Sequence, residues 1–320
     1  MNKPRISIII PTKNCGHTLS KCLTSIKKLD YPKDKLEVII VDGHSTDNTI
    51  EIAKKYGCEI IFEEKGTISY ARDRGIKYAN SKFLAFTDAD CVVERNWIQE
   101  LLKHFEGETA AVGGPNITPE DDTEFGKHVG IILTFLSKAG ARYGLVGGEV
   151  REVCHNPTCN VMYKKEILER VGGFNHKLIT ADDEELDYRI KKIGYKILYT
   201  PFAKVYHYRR PTWRKFIEMA WNYGIGRMQV IKLHSDMARW FHLVPSFIIS
   251  LIFSLILLSY FNNLLLLLDL AILIIGGIAI SLLSLSLNIK HKKKNFLTIL
   301  GLLSIWFWFW GLGFIRGFFK

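Results

Sequence analysis

Apolar positions along this chain follow two regimes. Up to about residue 210 they come in short runs divided by polar segments, and beyond Phe241 they continue almost unbroken. The first regime alternates. Ile6 to Ile10 is a β-branched run closed by Pro11-Thr12-Lys13-Asn14, the pattern of a parallel strand buried on both faces. Leu19, Leu23, Ile26 and Leu29 then recur at helical spacing, with Thr18 or Ser20 as cap and Pro32 as stop. The same reading predicts strands at 36–41, 58–62 and 82–86, and helices at 45–56 and 68–79. Strand and helix in this alternation predict an α/β fold with a Rossmann-like, mostly parallel sheet and helices on both faces. Such sheets bind ligands at the carboxyl ends of their strands. Pro11, Thr12, Asp42, Asp88 and Asp90 all fall there, so three strand ends converge on one crevice.

From residue 110 the pattern loosens. A strand is expected over 110–115, and 129–136 is apolar but too short to cross a bilayer, which predicts a core or interfacial helix. A strand at 161–163, a helix at 165–171 and a Gly172-Gly173 stop follow. Asp182-Asp183-Glu184-Glu185 then opens a helix whose Leu186 and Ile190 face inward, and acids at such a start favour the helix dipole. That placement lets them face a pocket.

The second regime begins after His207. Trp213, Ile217, Ala220, Gly224, Met228 and Ile231 recur every three or four residues, with Arg214, Lys215, Arg227 and Lys232 between them. This predicts an amphipathic helix within 211–240 lying in a membrane interface; a core-facing helix accounts for the stripe but not for its place before a span. Runs at 241–261, 264–287 and 296–319 are long enough to cross the hydrocarbon. The expected organisation is therefore a globular domain over 1–210, an interfacial helix over 211–240 and a membrane region over 241–320. Positive residues before the first span and at 290–294 put the globular domain and that loop on the cytoplasmic side of a multi-pass cell-membrane protein, with Lys320 outside. Asp269, inside the second run, is expected to meet a helix neighbour or the interface.

Composition sharpens this picture in few places. The net charge of +11 suits nucleic acid or an anionic membrane, and much of it lies beside the apolar C-terminus without a nucleic-acid motif, which favours lipid head groups. Six cysteines form no C-x-x-C pair and are expected to be reduced; Cys154-His155 with Cys159 is the nearest approach to a metal cluster, and none is expected there. Residues 1–5 do not read as a signal peptide. No G-x-G-x-x-G follows the first strand and no G-x-x-x-x-G-K-[ST] occurs, which argues against a dinucleotide oxidoreductase and a P-loop ATPase. Asp88-Ala89-Asp90 offers two carboxylates to one hard cation, Mg²⁺ or Mn²⁺, although an Asp-rich turn is the plainer reading of an isolated pair. Asp42 can accept from a base or ribose, and Arg72 can add positive charge near phosphate.

Together, Ile8-Ile9-Ile10-Pro11-Thr12-Lys13-Asn14, Val41-Asp42-Gly43-His44-Ser45-Thr46-Asp47, Ala71-Arg72-Asp73-Arg74-Gly75-Ile76, Thr87-Asp88-Ala89-Asp90, Gly172-Gly173-Phe174 and 182–189 resemble a family 2 glycosyltransferase of the GT-A fold, over roughly residues 4–210. The resemblance implies transfer of a sugar from a nucleotide-diphosphate donor with inversion at the anomeric carbon. It matches Thr12 and Asp42 to nucleotide contacts, and the expected donor-binding set is Pro11, Thr12, Asp42, Arg72, Asp88 and Asp182. Asp88 and Asp90 fall on its metal site, with His207 matching a histidine that helps hold the metal, and Asp183 falls on its general base. Asp73 stands where the family usually has Asn, and Asp182 where it has Glu. Asp236-Met237-Ala238-Arg239-Trp240 keeps only Arg-Trp of the Q-x-x-R-W of processive synthases, which predicts addition of one sugar. The expected acceptor is lipid-linked or membrane-associated. A polyprenyl-phosphate sugar synthase, using a lipid phosphate, and a non-catalytic nucleotide-sugar-binding scaffold are the alternatives.

Overall fold

The computed structural model describes residues 3–137, 148–292 and 295–320. It divides into two compact units: residues 1–122, 133–177 and 182–208 form the first, and residues 123–132, 178–181 and 209–320 the second. The 113–160 stretch and the 290–294 basic loop are described only in part, because 138–147 and 293–294 lie outside the described residues.

The chain begins with β1 (Ile6–Thr12), α1 (Gly16–Lys27), β2 (Leu36–Asp42), α2 (Thr49–Lys55), β3 (Glu59–Phe62), α3 (Ile68–Tyr78) and β4 (Phe83–Phe86), the predicted alternation. It continues with β5 (Cys91–Val93), α4 (Trp97–Leu102), β6 (Thr109–Gly113), β7 (Asn116–Ile117), α5 (Glu124–Ser137), β8 (Arg151–Glu152), β9 (Val161–Lys164), α6 (Lys165–Arg170), α7 (Asp182–Lys192), β10 (Lys196–Tyr199) and β11 (Val205–His207). An eight-stranded sheet runs in the order β3-β2-β1-β4-β9-β6-β10-β8. Along β1, Ile8 and Ile10 belong to one apolar core and Ile9 to another, all of them fully buried, so both faces of the sheet are covered. This is why the strand is β-branched throughout rather than alternating.

The sheet is parallel from β3 to β4 and then reverses. β9 lies antiparallel between β4 and β6. A strand reached from the amino edge needs a crossover, whereas β9 is entered from the carboxyl edge where β6 ends. Residues 114–160 therefore leave and rejoin the sheet at its ligand-binding edge. A second sheet, β5-β11-β7, was not foreseen from the sequence. Its strands have two or three residues each, too short for a period to register, and its β5–β11 register sets His207 opposite Cys91.

In the second unit, α8 (Trp213–Leu233) starts at Thr212, whose hydroxyl accepts from the Lys215 N–H, and is followed by α9 (Trp240–Leu258), α10 (Asn263–Lys290) and α11 (Phe296–Phe318). The last three are long and apolar enough to cross a membrane. The apolar stripe of α8 packs on α11 through glycines: a Cβ on Gly224 would strike the backbone of Trp310 and Phe314, one on Gly313 that of Trp221, and one on Gly317 that of Ile225. Small residues at matched positions let two helix backbones approach closely. The Ser246 hydroxyl donates to the Gly311 carbonyl at 3.0 Å and ties α9 to the same helix. Asp269 is 2% exposed within α10.

One glycine sets how closely α3 meets the sheet. A Cβ on Gly75 would lie 2.5 Å from Ile9 Cγ2 and 3.2 Å from Val41 Cγ2. Gly75→Val should lower stability by about 1–3 kcal/mol in chemical unfolding. Gly43→Ala, whose Cβ would meet nothing nearer than 3.5 Å, should leave it nearly unchanged.

Candidate active site

The residues expected to contact the donor come first along the chain. Thr12 Oγ1 donates to Asp42 Oδ2 at 2.7 Å, and the Ser45 N–H and hydroxyl donate to Oδ1 and Oδ2, each at 2.7 Å. Asp42 is fully buried, and these bonds use three of the roughly four acceptor positions of a carboxylate. Its first role is to lock the turn after β2 against the end of β1. Pro11 sits in that register, opposite Val41.

Arg72 does not lie on a solvated face of α3. It is 5% exposed and donates from Nη1 to Asp182 Oδ2 at 2.8 Å, and the Ser69 hydroxyl donates to the same oxygen at 2.9 Å. Its guanidinium lies 5.4 Å above the Phe174 ring, while its buried Nε has no hydrogen-bond partner among the described residues. Burial works against the charge on Arg72, but Asp182, Asp88 and Asp183 outweigh it and raise the group further. One cation thus serves three acids.

Gly172-Gly173-Phe174 supplies that ring through backbone geometry. Gly173 has φ +73°, and a Cβ there would lie 2.5 Å from the Asp73 carboxylate. Asp73 accepts from the Phe174 N–H at 2.9 Å and pairs with His176 Nε2 at 2.6 Å. The Asp that stands in place of Asn thus meets a histidine partner, while burial pushes its carboxyl above the usual range. Arg189 holds the other side of this turn, donating to the Val171 and Gly173 carbonyls and pairing with Glu185 one helical turn earlier. In this motif Arg189 and Glu185 fix the turn.

Asp88 and Asp90 follow β4, and β11 carries His207 to them, with Nε2 3.2 Å from Asp90 Oδ1. One ligand atom from each of Asp88, Asp90, Cys91 and His207 lies within 4.8 Å of every other. Burial first, then Cys159, push Asp88 up to about 7, against the pull of Arg72. Burial likewise drives the Cys91 thiol well above its usual range, and its soft sulfur is a poor match for a hard cation. Two carboxylates and an imidazole remain, a donor set that fits Mg²⁺ or Mn²⁺. Cys154 is exposed, apart from any cluster, whereas Cys159 groups with Cys91 and His207.

Asp183 is the second residue of α7, which follows directly on Ala181, a residue with a left-handed φ of +61°. Asp183 Oδ2 accepts from the Thr158 N–H at 3.2 Å and the Thr158 hydroxyl at 3.4 Å, and His155 Nε2 lies 3.9 Å away. Burial opposes its ionisation, but the positive charges of His155 and Arg72 hold it below the usual carboxylate range. His155, Thr158 and Asp187 were not singled out as site residues from the sequence. The readable signal was the one-turn spacing of Asp183 and Asp187, which puts both on one helix face.

The order of the strands, with acids gathered at the carboxyl edge of a mixed sheet, is that of the GT-A glycosyltransferase fold. It is shared with the mannosyltransferase PcManGT from Pyrobaculum calidifontis in complex with GDP-Man and Mn²⁺, at TM-score 0.60 and 18% identity over 96% of this chain and 88% of that one. Residues 7–172 match the model of glycosyl transferase family 2. The chain is 27% identical over 236 residues to glycosyltransferase AglE of Haloferax volcanii, covering 71% of this chain and 74% of that protein. It is 31% identical over 245 residues, with the same coverage, to a Methanococcus voltae protein named dolichyl N-acetyl-alpha-D-glucosaminyl phosphate 3-beta-D-2,3-diacetamido-2,3-dideoxy-beta-D-glucuronosyltransferase. The chain belongs to glycosyl transferase family 2 and is a glycosyltransferase.

The Arg72–Asp182 pair gives a test of how the site is held. Arg72→Met leaves a buried carboxylate uncompensated and should cost about 3–5 kcal/mol in chemical unfolding. Arg72→Met/Asp182→Leu should recover most of that loss.

Proposed function

We propose that this chain is an inverting, metal-dependent transferase that moves one sugar from a nucleotide diphosphate to a hydroxyl of a lipid-linked acceptor at the cytoplasmic membrane face. The observation that carries the reading is the gathering of Asp88, Asp90 and His207 within ligand distance of one another, with Arg72 acted on by both Asp88 and Asp183. A hard cation and a base then belong to one reaction centre.

In this reading Thr12 and Asp42 hold the nucleoside, and Arg72 lends positive charge on the diphosphate side. Asp88, Asp90 and His207 would hold the divalent ion, which supplies charge to offset the leaving diphosphate. Asp183 accepts the proton of the acceptor hydroxyl as that oxygen forms its bond to the anomeric carbon. The carbon–oxygen bond to the diphosphate breaks on the opposite face, which inverts the centre. Three helices long enough to span support a membrane-borne acceptor, as does the dolichyl-linked substrate in the name of the Methanococcus voltae relative. In this placement the basic residues of α8 and of the loop after α10 face the cytoplasmic head groups.

The second reading takes a polyprenyl phosphate as acceptor. That oxygen is already anionic and needs no base, so Asp183 separates the two. A non-catalytic scaffold would bind donor without releasing nucleoside diphosphate.

Purified full-length chain can be assayed with a panel of UDP- and GDP-sugars, polyprenyl-linked N-acetylglucosamine and polyprenyl phosphate, reading released nucleoside diphosphate and lipid product. Asp183→Asn should lower transfer to the sugar hydroxyl by about 10²–10⁴-fold, and full retained rate would remove Asp183 as base. Asp88→Ala, Asp90→Ala and EDTA should each abolish turnover; unchanged activity in EDTA would refute the metal.

A further inference from the structure

Asp187 is fully buried, and its carboxylate has three donors on it. His155 Nδ1 lies 2.9 Å from Oδ2, the Asn156 N–H donates to Oδ2 at 2.9 Å, and the Tyr163 hydroxyl donates to Oδ1 at 2.8 Å. The other ring nitrogen of His155 faces Asp183 Oδ2 at 3.9 Å. An imidazole therefore stands between two carboxylates, one fully buried and the other at the candidate reaction centre. Asp183 and Asp187 lie one turn apart on α7, and Thr158, from the same 155–158 segment, donates twice to Asp183.

We propose that His155, oriented by Asp187, is a positioning residue that fixes the Asp183 carboxylate toward the acceptor and supplies the positive charge beside it. The inference rests on Asp183 being the base. Several charged groups act on the pair. Asp183, Asp187 and Glu184 act on His155 from α7, while Arg72 acts on Asp183 from α3. Burial disfavours the imidazolium, but Asp183 and Asp187 outweigh it and bring His155 up to about 9. The charge is thus present throughout the neutral range and is lost only as pH rises through that value. Beside it Asp183 ionises below its ordinary range, so the carboxylate is ready to accept a proton at lower pH than an isolated aspartate would be.

The arrangement suits a base that works next to other acids. Asp88, Asp90 and Asp182 surround the same centre, and like charges would otherwise push Asp183 toward its neutral, unreactive form. Arg72 already pairs with Asp182. His155 adds a second positive charge beside Asp183.

The sign of the test follows. Removing the imidazolium raises the value at which Asp183 ionises, so the loss falls on the acid limb of the pH–rate profile. His155→Gln keeps hydrogen-bonding reach without charge. Asp187→Asn keeps the shape and removes the carboxylate that orients His155 and adds to the pull of Asp183 on its proton. With the donor that turns over and polyprenyl-linked N-acetylglucosamine, both variants should move the acid limb of kcat up by about one pH unit. That is about tenfold slower below the limb, with rates converging near pH 8 and donor KM unchanged. Thermal midpoints close to that of the parent chain would show that the fold is kept.

An acid limb that stays in place in both variants with donor KM intact would overturn the inference and leave His155 as a structural clamp. So would a raised donor KM with the limb unmoved. Asp183→Asn serves as the separate control. If it retains hydroxyl transfer, the base assignment fails and this inference with it; if it is inactive while His155→Gln has the parent profile, only the positioning role fails.

Discussion

Four carboxylates, those of Asp88, Asp90, Asp182 and Asp183, stand at the strand-end edge of this sheet, and like charges in a partly buried site repel strongly. The structure depends on the cations placed among them. Arg72 takes Asp182 in a direct pair and acts on Asp88 and Asp183 through space. His155 stands beside Asp183, and His207 beside Asp90. Each comes from a different part of the chain, namely α3, the segment before β9, and β11. The acids on their own would protonate or move apart; in the proposed reading these partners keep them available to a hard ion and an activated sugar.

Two features of the scaffold make that placement possible. β9 runs against its neighbours, so residues 114–160 return to the sheet at its carboxyl edge and bring His155 and Thr158 to α7. The short β5-β11-β7 sheet does the same for His207. Backbone detail completes the arrangement. Gly173 can accept Asp73 against its α-carbon, which seats Phe174 under the Arg72 guanidinium. Beyond the sheet, glycines on α8 and α11 let those helices pack backbone to backbone, so Ala220 and Gly224 of the α8 stripe are buried while Trp213 stays exposed.

What the sequence determined was whatever depends on local period and on residue type. The β-branched run from Ile6 to Ile10, the helical spacing after Thr18 and the long apolar runs after Phe241 set elements that appear within a few residues of their predicted ends. The acids at Asp42, Asp88 and Asp90 were legible as strand-end residues because strand ends can be read from where an apolar run stops. Tertiary structure decided which charges meet. Nothing in the local pattern announces that Arg72 will pair with Asp182 rather than face solvent, that Thr12 and Ser45 take three of the acceptor positions of Asp42, or that His155 joins Asp183 and Asp187 instead of Cys154 and Cys159. Those outcomes depend on strands of two or three residues, on one reversed strand and on left-handed backbone at Ala181 and Gly173, where sequence separation is large and no periodic signal exists to carry the information.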